Sequence, residues 1–226
     1  MQTKPTLKLD WCSHKAAKFA CKNWHYSKTI PANRSNYIGV WENSKFIGCV
    51  IFGLGASPSL GTRYNLKNTD VCELTRVALK SHITPVSKII KICIGFIKKH
   101  NTRLKLIVSF ADTFHNHHGG IYQAGNWIYN GMTSSSKILK LPNGDLADVR
   151  RFNGHGHNKK IPIPKGTKQI KTPGKHRYLM PLTKEMRKTI LPLSKPYPKR
   201  TPNSVDSPVQ GGEGGANPTC ALQSSH

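Results

Sequence analysis

"CELTRVALKSHITPVSKIIKICIGFIKKHNTRLKLIVSFAD", residues 72–112, is the stretch on which the fold turns. Residues 72–79 (CELTRVAL) are apolar and β-branched over strand length, and residues 104–112 (LKLIVSFAD) form a nearly continuous apolar run suited to a central strand covered on both faces. Between them Val86, Ile89, Ile90, Cys93, Ile94 and Ile97 recur at helical spacing, with Lys88, Lys91, Lys98 and Lys99 on the opposite face. Thr84 is placed to cap this helix and Pro85 suits its first position. The lysines read as a solvated face before they read as a DNA contact. Asp112 ends the apolar run. Ligands of open α/β sheets gather outside the carboxyl ends of central strands, so Asp112 becomes a candidate site residue.

Working outward, residues 13–24 carry a helical pattern with Ser13 as cap, and residues 25–36 read as a polar loop. Residues 37–41 (YIGVW) and 46–55 (FIGCVIFGLG) make a strand pair around an ENSK turn. Downstream, a short helix is expected over residues 118–124, closed by Gly125, followed by strands over 127–153 with the PNGD turn making a second hairpin. Residues 158–177 look like a basic loop, and 178–193 like a small closing element. The order is helix, hairpin, strand, helix, strand, helix, strands, an α/β (α+β) arrangement. The division expected is a main domain over 1–157, a basic extension over 158–200 packing on it as a candidate contact for a polyanion, and a disordered tail over 201–226, where Pro, Gly, Ser and Asn dominate.

Lys and Arg number 35 against 10 Asp and Glu, for a formal charge of +25, so the partner is expected to be a polyanion. Charge does not separate an enzyme from a packing protein. The six cysteines contain no CxxC pair and read as reduced core residues. No apolar leader and no membrane-length apolar run occurs, so a soluble intracellular protein is expected.

Three groups of residues could carry chemistry. His25 and Tyr26 of WHYS (24–27), taken with Asp112, offer a mixed nitrogen and oxygen donor set, or are ordinary boundary residues. HNHHGG (115–120) invites a metal reading, but neighbouring histidines in a turn cannot all aim at one ion, so His115, His117 and His118 read as supporting or surface residues. Arg76, inside a strand, needs an acid such as Glu73 or Asp112, or a bound anion. The basic stretch 159–177 is the candidate grip on a phosphate backbone.

The succession CELTRVAL, TPVSKIIK, LKLIVSFAD and GGIYQAGNWIYNG resembles the acyl-CoA N-acyltransferase (GNAT-like) fold, a mixed central sheet flanked by helices. More specifically NWHYS, GVWENSKFIGCVIFG, ELTRVAL, SFAD, HGGIYQAGNWIYNG and YLMPLTKEMRK resemble, in that order, the Mom family of bacteriophage DNA-modification proteins, from about Trp24 to Lys199. The resemblance implies an iron-dependent enzyme that converts adenine in double-stranded DNA to N6-carbamoylmethyladenine in the cytoplasm of the infected host. It implies His25, Tyr26 and Asp112 as metal ligands, with Arg76, Asp112, Tyr122, Ser109 and His25 as catalytic residues. The fold implies acyl-CoA or another small donor beside Val77, Val86, Ser87 and Lys88, although the turn LKSHITPVSK lacks the glycines that cradle a pyrophosphate. Arg150, Arg151, Lys159, Lys160 and Trp24 are the expected DNA contacts, with the target base flipped out of the duplex. Two other readings stand beside this one. In a non-catalytic basic DNA-binding protein, Asp112 and Arg76 would neutralise each other. An acetyltransferase would act on a protein or RNA amine.

Overall fold

The computed structural model describes residues 4–55, 57, 59–149, 152–153, 160–200, 202 and 204. Arg150, Arg151 and Lys159, and the tail beyond Ser204, lie outside them.

Strands β1 (Leu7–Trp11), β2 (Ser35–Glu42), β3 (Lys45–Gly53), β4 (Val71–Leu79), β5 (Leu106–Ala111), β6 (Ile128–Met132) and, much later, β10 (His176–Pro181) form one seven-stranded sheet in the order β1-β2-β3-β4-β5-β10-β6. Every pairing is antiparallel except β4 with β5. That parallel pair needs a crossover, which α2 (Val86–His100) supplies. Helix α2 packs Ile89, Ile90, Cys93 and Ile97 onto Val50, Phe52, Leu74 and Ile107. The alternate residues Cys49 and Ile51 face α1 (His14–Trp24) through Ala17, Ala20 and Cys21. Leu106, Val108 and Leu179 face α4 (Lys184–Ile190) through Met186 and Ile190. Alternation along the strands therefore builds two apolar layers, and the mixed central sheet flanked by helices expected from the sequence is the fold observed. Ser13 caps α1, and the cysteines Cys12, Cys21, Cys49, Cys72 and Cys93 are free. No helix among the described residues is long and apolar enough to cross a membrane.

Several expectations need correcting. Strand β1 was hidden by its brevity, Leu7 and Leu9 being its only partly buried apolar residues. The β2–β3 turn is two residues, Asn43 and Ser44, both at positive φ (49° and 63°), the geometry whose twist matches a hairpin. Thr84 does not cap α2. Its hydroxyl is 2.6 Å from the Glu42 carboxylate, and Pro85 takes the cap position ahead of Val86. The short helix α3 spans only Gly120–Gln123, and the left-handed residue after it is Asn126 (φ 56°), not Gly125. The closing element is no appendage, because β10 inserts between β5 and β6.

Beyond β6 the chain forms a second, three-stranded sheet: β7 (Ser136–Lys140), β8 (Leu146–Ala147) and β9 (Lys168–Thr172), in the order β8-β7-β9. The β7–β8 pairing matches the expected hairpin, whereas β9 lies in the stretch read as loop because its Lys-Gln-Ile-Lys pattern offers one apolar residue.

The two parallel strands separate before they end. β4 and β5 pair only from Val71↔Leu106 to Leu74↔Ser109, although β4 runs on to Leu79 and β5 to Ala111. The site lies at this parting.

Candidate active site at the parting of the parallel strands

A bulge starts the separation. Opposite Ile51 and Phe52 of β3 stand Arg76 and Leu74, which leaves Thr75 as the extra residue. The Lys80 amide donates to the Ile47 carbonyl at 2.9 Å, so by alternation Ala78 and Arg76 also turn their backbone groups toward β3. The amides of Val77 and Leu79 consequently face the side that β5 has vacated. At the apex, Ser109 Oγ is 2.8 Å from both the Leu74 carbonyl and the Tyr122 hydroxyl. Tyr122 is buried against Trp127 and Tyr178, and burial pushes its hydroxyl up to about 12, so it remains protonated at neutral pH.

Asp112 follows β5 directly. Its side chain caps a single 3-10 turn (Thr113–His115) by accepting the Phe114 amide at 3.1 Å. The Lys175 ammonium is 2.8 Å from its Oδ2, and His115 Nδ1 is 3.6 Å from the same oxygen. Burial works to raise the Asp112 pKa, but His115 and Lys175 outweigh it and hold the carboxyl well below the ordinary range. Lys175 is itself fixed by its backbone, since Thr133 N–H donates to the Lys175 carbonyl and the Lys175 N–H to Thr133 Oγ1, both at 2.9 Å.

His25 and Tyr26 approach from the end of α1. His25, the C-cap, stacks on Tyr26 at 4.3 Å between ring centroids, and Tyr26 stacks in turn on His115 at 4.4 Å and His117 at 5.1 Å. Contacts thus run unbroken from His25 through Tyr26 and His115 to Asp112. Burial, then the positive charges of Arg76, His117, His115 and Lys28, depress His25 to about 3, so its imidazole is neutral at physiological pH. Tyr26 keeps 43 % of its surface exposed, yet crowding at its hydroxyl and the nearby Asp112 charge raise its pKa well above the ordinary phenol range.

Arg76 is half-buried, with Nη1 donating to the Thr75 carbonyl at 2.7 Å and Nε to the Thr29 carbonyl at 3.4 Å. Its charge is felt at both His25 and Tyr26. Asp112, one of the two acids considered for Arg76 from the sequence, is paired with Lys175.

The implied iron can be tested against these donors. Nδ1 of His25 accepts the Ser27 amide at 3.1 Å, which puts the remaining proton on Nε2 and leaves the neutral ring without a lone pair to give. The Lys175 ammonium occupies the cation's place at Asp112. Among the described residues no group of three or more His, Cys, Asp or Glu side chains could hold a metal. In this arrangement His25, Tyr26 and Asp112 do not fit a metal shell.

The remaining candidates lie apart. Val86, Ser87 and Lys88 open α2. The loop before them is already occupied by a carboxylate of the protein itself: Glu42, buried, accepts the Ile83 amide at 2.9 Å, the Thr84 amide at 2.8 Å and the Thr84 hydroxyl. Trp24 packs edge-on to Phe19 and beside Phe46, with the Lys80 ammonium 5.7 Å above its ring. Lys160 is exposed. A separate cleft of about 440 Å³, lined by Arg34, Asn36, Asn68 and Arg103 among others, sits at the opposite end of β4.

Sequence reasoning missed Lys175 and Glu42, and read His115 and His117 only as supporting or surface residues. The histidines were visible as a cluster, but that Tyr26 stacks on them depends on the turn after α1, which no local pattern announces. Lys175 is one of many lysines in a basic stretch, and only the insertion of β10 beside β5 carries it to Asp112.

The sequence matches the model of the Mom protein family over residues 6–199. No curated relative matches it. Among solved structures it is similar to a Bacillus subtilis acetyltransferase in complex with CoA (12 % identity, 80 % of this chain and 100 % of that one, TM-score 0.47). It is also similar to FeeM, an N-acyl amino acid synthase from uncultured soil microbes (9 % identity, 82 % and 94 %, TM-score 0.45). A GNAT family acetyltransferase from Elizabethkingia anophelis with acetyl-CoA bound is a third (10 % identity, 78 % and 98 %, TM-score 0.37).

Proposed function

The chain belongs to the Mom protein family, and from that premise we propose that it modifies adenine at N6 in double-stranded phage DNA. The group added is carbamoylmethyl, and the modification shields the DNA from restriction in the host cytoplasm. The observation that carries the reading is the convergence of His25, Tyr26, Arg76 and Asp112, drawn from three separate parts of the chain, at the parting of β4 and β5. Those are the positions at which this sequence matches the family's motifs.

The chemistry follows from the groups present. Adenine N6 is paired in a duplex, so the base is flipped out before it reacts. N6 attacks the electrophilic carbon of a small donor. The N6–C bond forms as the bond to the leaving group breaks, and N6 gives up a proton. His115 is the base that takes it, oriented by Asp112 as a carboxylate orients histidine in acid–base dyads, and their 3.6 Å separation shortens once the ring is charged. The Val77 and Leu79 amides, facing the gap left by β5, stabilise negative charge on the donor. Arg76 and Lys175 supply positive charge for an anionic leaving group. Tyr122 and Ser109 hold the apex of the gap open. Iron, which the resemblance implies, would require Lys175 to leave Asp112 and His25 to change tautomer, and no step is drawn through it.

A second reading, acyl transfer to an amine of protein or RNA, is favoured by the same two free strand amides. The Glu42 carboxylate weighs against CoA as the donor, because it already fills the loop ahead of α2 where a pyrophosphate would seek amides. Mass spectrometry of nucleosides from plasmid DNA of expressing cells separates the two readings. A deoxyadenosine carrying a carbamoylmethyl group is expected; unmodified DNA beside abundant folded protein overturns the proposal.

A further inference from the structure

We propose that the small sheet β7–β9 is the docking platform for duplex DNA, and that its lysines lead the phosphate backbone to Asp112. The inference rests on the reading of duplex DNA as substrate, and deepens it by naming the surface.

The first observation is an arrangement that costs stability. In the β7–β9 register Lys137 stands directly opposite Lys171, and Lys140 directly opposite Lys168. Like charges facing each other across an antiparallel pair destabilise it. Lysines at a sheet edge commonly block pairing with other chains, and Lys168 and Lys171 on the edge strand β9 could serve that end alone. Lys140 lies where β7 is flanked by both β8 and β9, so no such guard is needed there. The sheet has little to offset the repulsion, since its core is Leu139, Ala147 and Phe152. The first pair lies on one face of the sheet and the second on the other, so a polyanion bound to one face would turn the pair it covers from repulsive to attractive. Lys160 and Lys165 are exposed on the approach to β9, so residues 136–172 carry six described lysines (137, 140, 160, 165, 168, 171) against two acids, Asp145 and Asp148.

The second observation is placement. β6 and β10 pair as far as Met132↔His176, and His176 also pairs with Ala111, the residue before Asp112. Both chains then continue outward and pair again as β7 and β9, beginning at Ser136↔Thr172. The lysine ladder is therefore a direct extension of the strands that carry the site. At about 3.4 Å per residue, the pairs from Ser136↔Thr172 to Lys140↔Lys168 lie within roughly 14 to 27 Å of the Met132↔His176 pair along the ladder, a span comparable to the width of a duplex. Lys175, on the link between β9 and β10, sits at the junction with its ammonium on Asp112. Gly174 beside it is packed so closely that a Cβ there would overlap the Thr133 carbonyl, which fixes the junction.

The test compares two full-length variants of equal charge change. One carries Lys→Gln at 137, 140, 168 and 171; the other carries Lys→Gln at 45, 91, 98 and 99, all exposed and away from the small sheet. Affinity for a labelled mixed-sequence duplex is measured by fluorescence anisotropy across a salt series. The small-sheet variant is expected to bind at least about tenfold more weakly at low salt. Its log–log salt slope should be shallower by about 2, one phosphate contact for each lysine of the pair on the bound face. The control variant should stay within about twofold. The small-sheet variant should also melt at a higher temperature, because both repulsive pairs are gone. Equal weakening in the two variants, no weakening in either, no duplex binding by the wild type, or loss confined to single-stranded RNA each overturn the proposal. If the fourfold variant does not fold, the variants at 137 with 171 and at 140 with 168 are measured separately, and the pair on the bound face is expected to carry the loss. Binding is scored without a modification readout. A wild type that binds through this sheet yet leaves adenine unmodified would overturn the proposed function and leave the platform standing.

Discussion

Two buried carboxylates lie at the carboxyl ends of the two neighbouring parallel strands, and they are held in opposite ways. Glu42, the last residue of β2, reaches its carboxylate into the loop after β4, where two backbone amides and a buried hydroxyl close around it. Asp112, after β5, accepts one amide and is otherwise met by Lys175 and His115, whose side chains keep 46 % and 37 % of their surface exposed. Every partner of Glu42 is part of the loop's own backbone or packing, so the acid cannot leave without dismantling the loop. The side-chain partners of Asp112 reach it from solvent and can exchange it for a substrate. The first is an acid used to build the fold, and the second is the acid to which the proposed function gives chemistry.

The largest expected effect comes from breaking the second. Asp112→Asn should lower adenine modification on the order of 10³-fold, within the range of lost acid–base catalysis, with a modest drop in melting temperature because the Lys175 ammonium loses its charged partner. Circular dichroism melting beside nucleoside quantification checks both halves. His115→Gln should give a loss of similar order with the melting temperature unchanged, which distinguishes a proton acceptor from a surface residue.

Glu42→Ala acts the other way. It leaves the Ile83 and Thr84 amides without their acceptor inside the protein and should cost about 3 kcal/mol in denaturant unfolding, with activity per folded molecule retained. If the loop instead serves a CoA-type donor, the same variant should bind CoA more tightly than wild type, a result isothermal calorimetry would reveal.

A smaller effect depends on pH. His25 has a folded-state pKa of about 3, below its ordinary 6.5, so the unfolded chain binds the proton more readily. Stability is complete above pH 6.5 and declines as pH falls toward 3. The loss at pH 5 is about 2 kcal/mol. His25→Gln should flatten that part of the stability profile. The smallest effect belongs to Ser109→Ala, about 1 kcal/mol, because it removes the hydroxyl linking Leu74 to Tyr122 at the apex of the strand gap.

Parts of this contrast were legible in the sequence and parts were not. The apolar run ending at Asp112 and the lysine-backed helix α2 follow directly from periodicity, and both lie where expected. The site residues drawn from family motifs are brought together, because motif order reports an arrangement that the fold completes. Lys175 reaches Asp112 only through a strand inserted some 60 residues later in the chain, a non-local pairing that no window of sequence encodes. Glu42 looked like an ordinary turn-flanking acid, and Thr84 like a helix cap. The two found each other instead, since a buried carboxylate draws the nearest donors more strongly than a helix end does. Strand β9 escaped notice because its sequence, KQIKT, offers a single apolar side chain.

The most direct test places the two acids side by side. Asp112→Asn and Glu42→Gln proteins are expressed at matched soluble levels, and the fraction of N6-carbamoylmethylated deoxyadenosine in plasmid DNA is measured by mass spectrometry. Modification should vanish with Asp112→Asn and persist with Glu42→Gln. Modification that survives the change at Asp112, or that disappears only with the change at Glu42, would contradict the assignment of chemistry to the parting of β4 and β5.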